Sequence, residues 1–238
     1  AYEIPKRDWS SDVCSSDLRI DHSEIGISTE VPIVQEHFDN PRNYTKEILE
    51  QFQNDFYLPY IKGNDLTIVD CGANIGLFTL HMMPIAKHIY CVEPTPSHNA
   101  VKMVITEGID NITHIEAALH DYTGNVTLYE EGVNSTMNKL SDEFNQGTIE
   151  VYCYTLEDIF KKWNIEYCDL LKADLESGER KALTVETLTP VVDRIGSIWL
   201  ECHGNPIQEE QERFAKIFES VGFFVEKIHQ DIVWCYRK

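Results

Sequence analysis

The most regular hydrophobic pattern in the chain begins at residue 66. Residues 66–71, LTIVDC, form an apolar and β-branched run that predicts a buried strand. Gly72 and Gly76 interrupt the run, and apolar positions return from residue 77 at helical spacing. The order of strand, glycine turn and helix N-terminus is one in which backbone N–H groups approach a nucleotide-like ligand closely.

Further runs predict alternating strands and helices. The predicted strands are 66–71, 88–92, 111–119, 126–130, 148–154, 168–175, 194–202, 223–229 and 232–236. The predicted helices are 44–56, one starting at residue 77, 97–106, 155–163, which a capping box (TLED) opens, 178–188 and 206–221. These units predict an α/β fold with a doubly wound, mostly parallel sheet and an antiparallel C-terminal hairpin. An antiparallel excursion around the polar segment 132–147 is the expected substrate-facing insertion.

The glycine turn allows a prediction about the charge of the ligand. The NAD fingerprint has three glycines, as G-x-G-x-x-G, whereas residues 72–76 read GANIG, with Asn74 at the middle glycine position and Asp70 just before the turn. A fixed carboxylate at that point opposes a pyrophosphate and complements an ammonium or a sulfonium. S-adenosylmethionine carries both cations and no phosphate, so we expect this cofactor.

A second acid supports the same ligand. The strand predicted at 88–92 ends at Glu93, which follows Asp70 by 23 positions, enough for a loop, a helix and a return strand. An acid at this place accepts hydrogen bonds from both ribose hydroxyls of an adenosine. The two acids in this order are a much stronger signal than either alone.

Candidate groups for methyl transfer to a hydroxyl follow the strands predicted at 168–175 and 194–202, because open α/β sheets bind ligands at the carboxyl ends of their strands. His203 is the preferred general base, since an unperturbed pKa of about 6.5 lets it accept a proton at neutral pH. Asp174 is expected to bind the substrate hydroxyl or the cofactor's amino group, and Glu201 to orient His203 or the substrate. A hydrogen-bonded strand-end histidine and structural salt bridges, for instance between Glu201 and Lys172, are the alternatives.

Other polar residues are weaker candidates. Glu176, Ser135 and Thr136 are expected to contact the substrate. The group Asp174, Glu176, Glu201 and His203 also offers oxygen and nitrogen ligands for Mg²⁺ or Mn²⁺. Nothing in the spacing demands a metal, so we expect none, and we expect activity to survive a chelator.

Composition narrows the class of partner. The 238 residues suffice for one α/β domain, and 40 acidic against 20 basic residues give a net charge of −20, which repels nucleic acid and anionic membranes. No apolar stretch has the length of a membrane span, and the cysteines, with no Cys-x-x-Cys pair, are typical of reduced core residues in a cytoplasmic protein. Small neutral or cationic substrates, or a protein partner, stay open. The oligomeric state cannot be predicted.

The N-terminus differs in composition from the rest. Residues 7–18, RDWSSDVCSSDL, resemble the translation of a sequencing adapter, so 1–20 is interpreted as a non-native or disordered leader. Residues 21–65 are interpreted as an N-terminal helical cap segment, and residues 66–238 as the catalytic domain.

Six blocks of residues 66–204 resemble the FkbM family of S-adenosylmethionine-dependent methyltransferases. In order they read DCGANIG, VEPTPSHN, AALHDYTGNVTL, TLEDIF, LLKADLESGE and WLECHG. The resemblance implies a seven-stranded Rossmann-like methyltransferase sheet and O-methylation of a sugar, glycan or natural-product scaffold. The cofactor-binding residues that it implies are Asp70, Gly72, Asn74 and Gly76 in the loop, Glu93 at the ribose, and Ala117 with Ala118 beside the adenine.

One block departs from the family pattern. Family members commonly have Glu-Gly-Ala-Glu where this chain has Glu176, Ser177, Gly178 and Glu179. If the family glycine has a positive φ, the backbone here must bend differently or Gly178 must take over that conformation. Two alternatives to the methyltransferase stay open: a NAD(P)-dependent oxidoreductase or epimerase, and a catalytically inactive methyltransferase-like binding module. Against the former, a Tyr-x-x-x-Lys pair occurs only at Tyr2 and Lys6, in the leader.

Overall fold

The computed structural model describes residues 63–74, 76–95, 110–130, 138–139, 148–227 and 231–237. Several predictions lie outside these residues. They are the leader 1–20, the cap segment 21–65 apart from its last three residues, the helices 44–56 and 97–106, and the substrate contacts Ser135 and Thr136.

The described strands form two sheets. In chain order they are β1 (Leu66–Cys71), β2 (Ala86–Val92), β3 (Ile112–Ile115), β4 (Ala118–Leu119), β5 (Gly124–Glu130), β6 (Asn138–Lys139), β7 (Thr148–Tyr154), β8 (Cys168–Ala173), β9 (Ile195–Glu201), β10 (Phe224–Lys227) and β11 (Ile232–Tyr236). The larger sheet has seven strands in the order β10-β11-β9-β8-β1-β2-β3. The pairs from β9 to β3 are parallel, and β11 is antiparallel to both of its neighbours. The doubly wound sheet with an antiparallel C-terminal hairpin is confirmed.

The second sheet contains the predicted excursion. Its order is β4-β7-β5-β6, and β5 pairs antiparallel with β7, as expected. The single third strand predicted at 111–119 is wrong, because β3 pairs with β2 and β4 pairs with β7. A turn in which the Ala117 N–H bonds to the Ile115 carbonyl at 2.9 Å separates the two strands. The chain therefore changes sheets at this turn.

The described helices are α1 (Leu77–Met82), α2 (Leu156–Lys162), α3 (Glu179–Ala182), α4 (Val185–Leu188) and α5 (Ile207–Ser220). Short 3₁₀ turns lie at Met83–Ile85 and Val192–Arg194. The single helix predicted at 178–188 is wrong: Leu183 leaves the helical conformation, and the Thr184 hydroxyl caps α4 by accepting from the Thr187 N–H. No helix in the described ranges is long and apolar enough to cross a membrane.

The capping box at the start of α2 has an additional member. The Thr155 hydroxyl accepts from the Asp158 N–H at 3.1 Å, as predicted. In a capping box the side chain of the fourth residue also accepts from the backbone N–H of the first. Here that second bond is indirect: the Thr155 N–H donates to the Thr123 hydroxyl, and this hydroxyl donates to the Asp158 carboxylate. Thr123 thus ties the turn before β5 to the N-terminus of α2.

Apolar side chains cover both faces of the large sheet. Neighbouring residues of β1, Ile68 and Val69, are both fully buried but belong to different core clusters. One cluster includes Phe160 of α2 and Phe218 of α5, and the other includes Phe78 of α1. Burial on both faces explains why the central strands are continuous apolar runs. Polar chemistry is therefore concentrated at the strand ends.

Within the described ranges, six cysteines belong to the core. Cys71, Cys91, Cys153, Cys168, Cys202 and Cys235 are free and buried. Burial raises the pKa of Cys202 to about 12, with nearby carboxylates acting in the same direction, so this thiol stays protonated at neutral pH.

Candidate active site

The glycine turn lies over the carboxyl ends of β1 and β2. The Gly72 and Ala73 N–H groups donate to the Val92 carbonyl at 2.9 and 3.2 Å. Gly72 has φ +75°, and a Cβ built there would lie 1.7 Å from the backbone oxygen of Asp174. Only glycine fits this contact, since both the conformation and the space exclude a side chain. The strand, loop and helix order predicted from the sequence is confirmed.

Asp70 lies in β1, just before this loop, and is buried inside the protein. Its carboxylate has no exposed surface, accepts from the Thr79 hydroxyl at 2.7 Å and lies 3.5 Å from the Lys172 ammonium. Burial raises the pKa of Asp70, while Lys172 and Thr79 act in the opposite direction. The carboxylate is therefore enclosed, and it has a cationic partner within the protein. Direct contact of Asp70 with a cofactor stays a prediction.

Glu93 links the loop to the end of β2. One carboxylate oxygen accepts from the Asn74 N–H and the other from the Thr95 N–H, each at 2.9 Å. Each oxygen keeps acceptor capacity for one further bond, as two ribose hydroxyls would require. In addition, the buried amide oxygen of Asn74 has no hydrogen-bond partner among the described residues. Together with the glycine cradle, these acceptors fit an adenosyl group that carries an ammonium.

Ala117 and Ala118 lie beside this site. Both are buried, and they follow β3, whose last residue, Ile115, accepts from the Glu93 N–H at 3.0 Å. Their small side chains at the next strand end are compatible with the adenine wall that the family resemblance implies.

The structure brings together the four acceptor-side candidates. Nε2 of His203 lies 3.7 Å from a carboxylate oxygen of Asp174, 3.5 Å from Glu176 and 4.0 Å from Glu201. Asp174 and Glu176 follow β8, whereas Glu201 ends β9 and His203 follows it. Because β8 and β9 are adjacent and parallel, their carboxyl ends place these side chains in one group.

Glu179 is a member of the site to which the sequence analysis assigned no role. This first residue of α3 is fully buried, and its Oε1 lies 2.8 Å from His203 Nδ1 and accepts from the Leu175 N–H at 2.8 Å. The signal was present, because Glu179 closes the LESGE block five positions after Asp174. Its contact with His203 depends on the turn between β8 and α3, which sequence spacing does not define.

The surroundings change the proton affinities of two of these groups. Burial alone would lower the pKa of His203, but the hydrogen bond and charge of Glu179, with Asp174 and Glu176, outweigh it and raise the pKa to about 9. Burial, followed by Asp174, raises the pKa of Glu201 to about 7. In the protein without ligands, His203 therefore carries a proton at neutral pH. The reason for choosing it as base, an unperturbed pKa, does not hold, and its catalytic role stays a prediction.

Lys172 joins the glycine loop to the acceptor side. Its buried ammonium donates to the Gly72 carbonyl at 2.9 Å and lies 3.5 Å from both Asp70 and Asp174. A buried ammonium requires such partners, because an unpaired charge in the interior is costly. The sequence suggested only a salt bridge between Lys172 and Glu201, and the bond to the loop could not be predicted.

The block that departs from the family pattern, residues 176–179, has a left-handed turn at residues other than glycine. Ser177 has φ +79° and Glu176 has φ +48°, whereas Gly178 has φ −71°. Ser177 itself therefore adopts the positive φ, and Gly178 does not take over. This conformation costs a residue with a Cβ about 1–2 kcal/mol relative to glycine.

The fold and the site define a class of protein. A seven-stranded sheet with a reversed strand next to its edge, a glycine loop after the first strand and an acid after the second are features of class I methyltransferases. Residues 70–226 match the model of the methyltransferase FkbM domain. The chain belongs to this family.

Individual relatives are more distant. Methyltransferase sdnD of Sordaria araneosa is 28% identical over 152 residues, which are 49% of this chain and 58% of that protein. The crystal structure of methyltransferase FkbM from Methylobacillus flagellatus KT superposes with a TM-score of 0.51 at 15% identity, covering 76% of this chain and 46% of that one. The chain thus spans about half the length of these two relatives, and the structural similarity supports the fold alone.

Substitution of Gly72 tests the close contact. Gly222 also has a positive φ, +94°, but a Cβ there would meet nothing within 4 Å, so it is a matched control. We expect Gly222→Ala to lower the free energy of unfolding by about 1–2 kcal/mol through its backbone conformation alone. Gly72→Ala should lose about 3 kcal/mol or more, because the Asp174 backbone must also move. Urea unfolding of both variants measures the difference, and equal losses would contradict the contact.

Substitution of Ser177 tests the strained turn. Ser177→Gly should raise the free energy of unfolding by about 1 kcal/mol, since glycine adopts a positive φ without steric cost. Ser177→Ala removes the hydroxyl but keeps the Cβ and should give no such gain. A gain of similar size in both variants would show that the hydroxyl, and not the backbone conformation, is responsible.

Proposed function

We propose that this chain is an S-adenosylmethionine-dependent methyltransferase that methylates a hydroxyl group on a sugar, glycan or natural-product-like small molecule. The main support is the direct contact between the glycine loop and the acceptor-side group. The Asp174 N–H donates to the Cys71 carbonyl at 3.1 Å, and Lys172 bonds to the loop while it pairs with Asp174. A donor in the loop and an acceptor at Asp174 would therefore be neighbours, as direct group transfer requires.

The cofactor half of the site would be formed by the ends of β1, β2 and β3. Glu93 would accept hydrogen bonds from the ribose, the Asn74 amide oxygen would accept one from the ammonium group, and Ala117 and Ala118 would border the adenine. Gly72 and Gly76 allow the backbone to approach the ligand. S-adenosylmethionine would supply an electrophilic methyl group on a positively charged sulfur.

The acceptor half would be formed by the ends of β8 and β9. The hydroxyl must approach to about 3 Å in line with the bond that breaks, and it must lose its proton as the new bond forms. Asp174 and Glu201 would bind the hydroxyl and receive that proton. His203, which is protonated in the protein without ligands, would donate a hydrogen bond to the hydroxyl oxygen and would act as a base only after losing its own proton. Glu176 would contact the substrate nearby, as would Ser135 and Thr136 of the polar segment.

The charge of this half favours a particular kind of acceptor. Carboxylates of Asp174, Glu176 and Glu201 all lie within 4.0 Å of one imidazole nitrogen. Such a site repels a phosphorylated or carboxylated acceptor and admits a neutral polyol. This supports a sugar or glycan hydroxyl and argues against nucleic acid.

Calorimetry separates the methyltransferase from the nicotinamide-dependent alternative. We expect the chain to bind S-adenosylhomocysteine and not NAD. Glu93→Gln should weaken binding about tenfold or more, because a charged acceptor is lost. Glu219→Gln, at an exposed position of α5, removes the same charge and should leave the affinity unchanged. Binding of NAD in preference, or equal affinities of the two variants, would contradict the proposed cofactor site.

Turnover tests the acceptor side. With labelled S-adenosylmethionine and a pool of glycans and hydroxylated small molecules, we expect methylated products that mass spectrometry identifies. Asp174→Asn should reduce kcat about 100-fold or more, while the affinity for S-adenosylhomocysteine changes little. Asp193→Asn is the control, because this exposed carboxylate precedes β9 and the site lies at the opposite end of that strand. Unchanged turnover in Asp174→Asn would contradict its role, and cofactor binding without any product would favour the inactive binding module.

A further inference from the structure

We propose that Asp174, Glu176 and His203 form a binding site for a divalent cation such as Mg²⁺ or Mn²⁺. The inference extends the proposed function. It depends on that function only for the position of the acceptor hydroxyl. From the sequence alone we expect no metal, because spacing along the chain does not demand one. The folded structure supplies the arrangement that the spacing lacked.

The distances between the three groups fit a shared ion. One ligand atom from each residue lies within 4.8 Å of the other two. His203 Nε2 is 3.7 Å from Asp174 and 3.5 Å from Glu176, which is longer than the range of about 2.7–3.2 Å for a hydrogen bond of this type. Two ligand atoms at about 2.1–2.3 Å from one ion lie roughly 3.0–3.8 Å apart. The gap is therefore too wide for direct bonding and suits a cation between them.

The histidine is oriented as a metal ligand. Histidines that bind metals almost always donate their other ring N–H to a carboxylate, a carbonyl or water. Here Nδ1 lies 2.8 Å from Oε1 of Glu179, so Nε2 is the nitrogen that faces the carboxylates. This orientation is held inside the protein, because Glu179 is fully buried at the start of α3.

Glu179 gives a second and independent reason. Its Oε2 is buried and has no hydrogen-bond partner among the described residues. A buried carboxylate with an unpaired oxygen is costly unless positive charge lies close by. In the protein without ligands the protonated His203 supplies that charge. A cation bound at Nε2 would displace the Nε2 proton into solvent and keep positive charge on the ring that Glu179 contacts.

The balance of charges points the same way. Asp174, Glu176, Glu179 and Glu201 surround His203 within 4.0 Å. Lys172, whose ammonium lies 3.5 Å from Asp174, also pairs with Asp70 and donates to the Gly72 carbonyl. Carboxylates at this spacing repel each other strongly where they are partly buried. A divalent cation would convert the repulsion into shared coordination.

The donor set indicates which ions would bind. Two carboxylates and one imidazole, all half-buried and open to water ligands, suit Mg²⁺ or Mn²⁺. An ion at this place would hold the oxygen of the acceptor hydroxyl and favour its deprotonated form. A sugar with neighbouring hydroxyls would be well suited to complete the coordination.

Direct titration of the chelator-treated full chain with Mn²⁺ tests the site without any methyl donor. Free Mn²⁺ is measured by electron paramagnetic resonance, and Mg²⁺ is added as competitor. We expect one saturable Mn²⁺ per chain, displaced by Mg²⁺. Asp174→Asn, Glu176→Gln and His203→Asn should each weaken binding tenfold or more, and Glu179→Gln should weaken it by about 10–100-fold through the orientation of His203. Asp193→Asn should bind as the unsubstituted chain does, and circular dichroism verifies that each variant is folded.

Two results would overturn the proposal. One is the absence of saturable Mn²⁺ binding, and the other is binding that the three ligand substitutions leave unchanged. These results are distinguishable from failure of the proposed function. If methylation persists in chelator and no Mn²⁺ binds, the cation site is contradicted and the proposed methyltransferase function stands. If Mn²⁺ binds at these residues but no acceptor is methylated, the cation site stands and the proposed function is contradicted.

Discussion

The contact between Gly72 and the backbone of Asp174 is the constraint on which the rest of the site depends. A Cβ at residue 72 would lie 1.7 Å from the Asp174 oxygen, so the glycine loop and the end of β8 touch without an intervening side chain. This contact brings the glycine loop and a group of carboxylates to adjacent strand ends. If the two ends were separated by one side chain, a bound donor and a bound acceptor would no longer be within reach of direct transfer.

Lys172 stabilises this contact by spanning it. Its ammonium bonds to the Gly72 carbonyl and lies 3.5 Å from carboxylates on both sides, Asp70 within the loop's base and Asp174 on the acceptor side. Because these charges are largely removed from water, each needs the others, and loss of one partner would leave an uncompensated charge. Binding in the loop and the position of Asp174 are therefore connected through one side chain.

The parts of the structure that follow from local pattern were predictable from the sequence, and those that depend on packing were not. β1, the loop and the start of α1 were predicted because an apolar run, two glycines and helical spacing act within a few residues. The change of sheet after Ile115 and the break at Leu183 were missed, because apolar residues recur beyond both positions, as far as Leu119 and Leu188, and give no local signal of a break. At the site, the strand-end rule placed Asp174, Glu176, Glu201 and His203 together. It could not show that Glu179 holds His203, or that the surrounding carboxylates raise the pKa of His203 to about 9.

The turn after β8 has a left-handed conformation at the residue where the sequence departs from the family pattern. Ser177 occupies the position that is commonly glycine and still adopts φ +79°, although a residue with a Cβ is strained there. The turn is held on its far side, because the Leu175 N–H donates to Glu179 and the Gly178 N–H donates to the Leu175 carbonyl. The same Glu179 oxygen contacts His203, so relaxing the turn would also move the histidine. The strain at Ser177 is thus maintained by the bonds that orient the acceptor side.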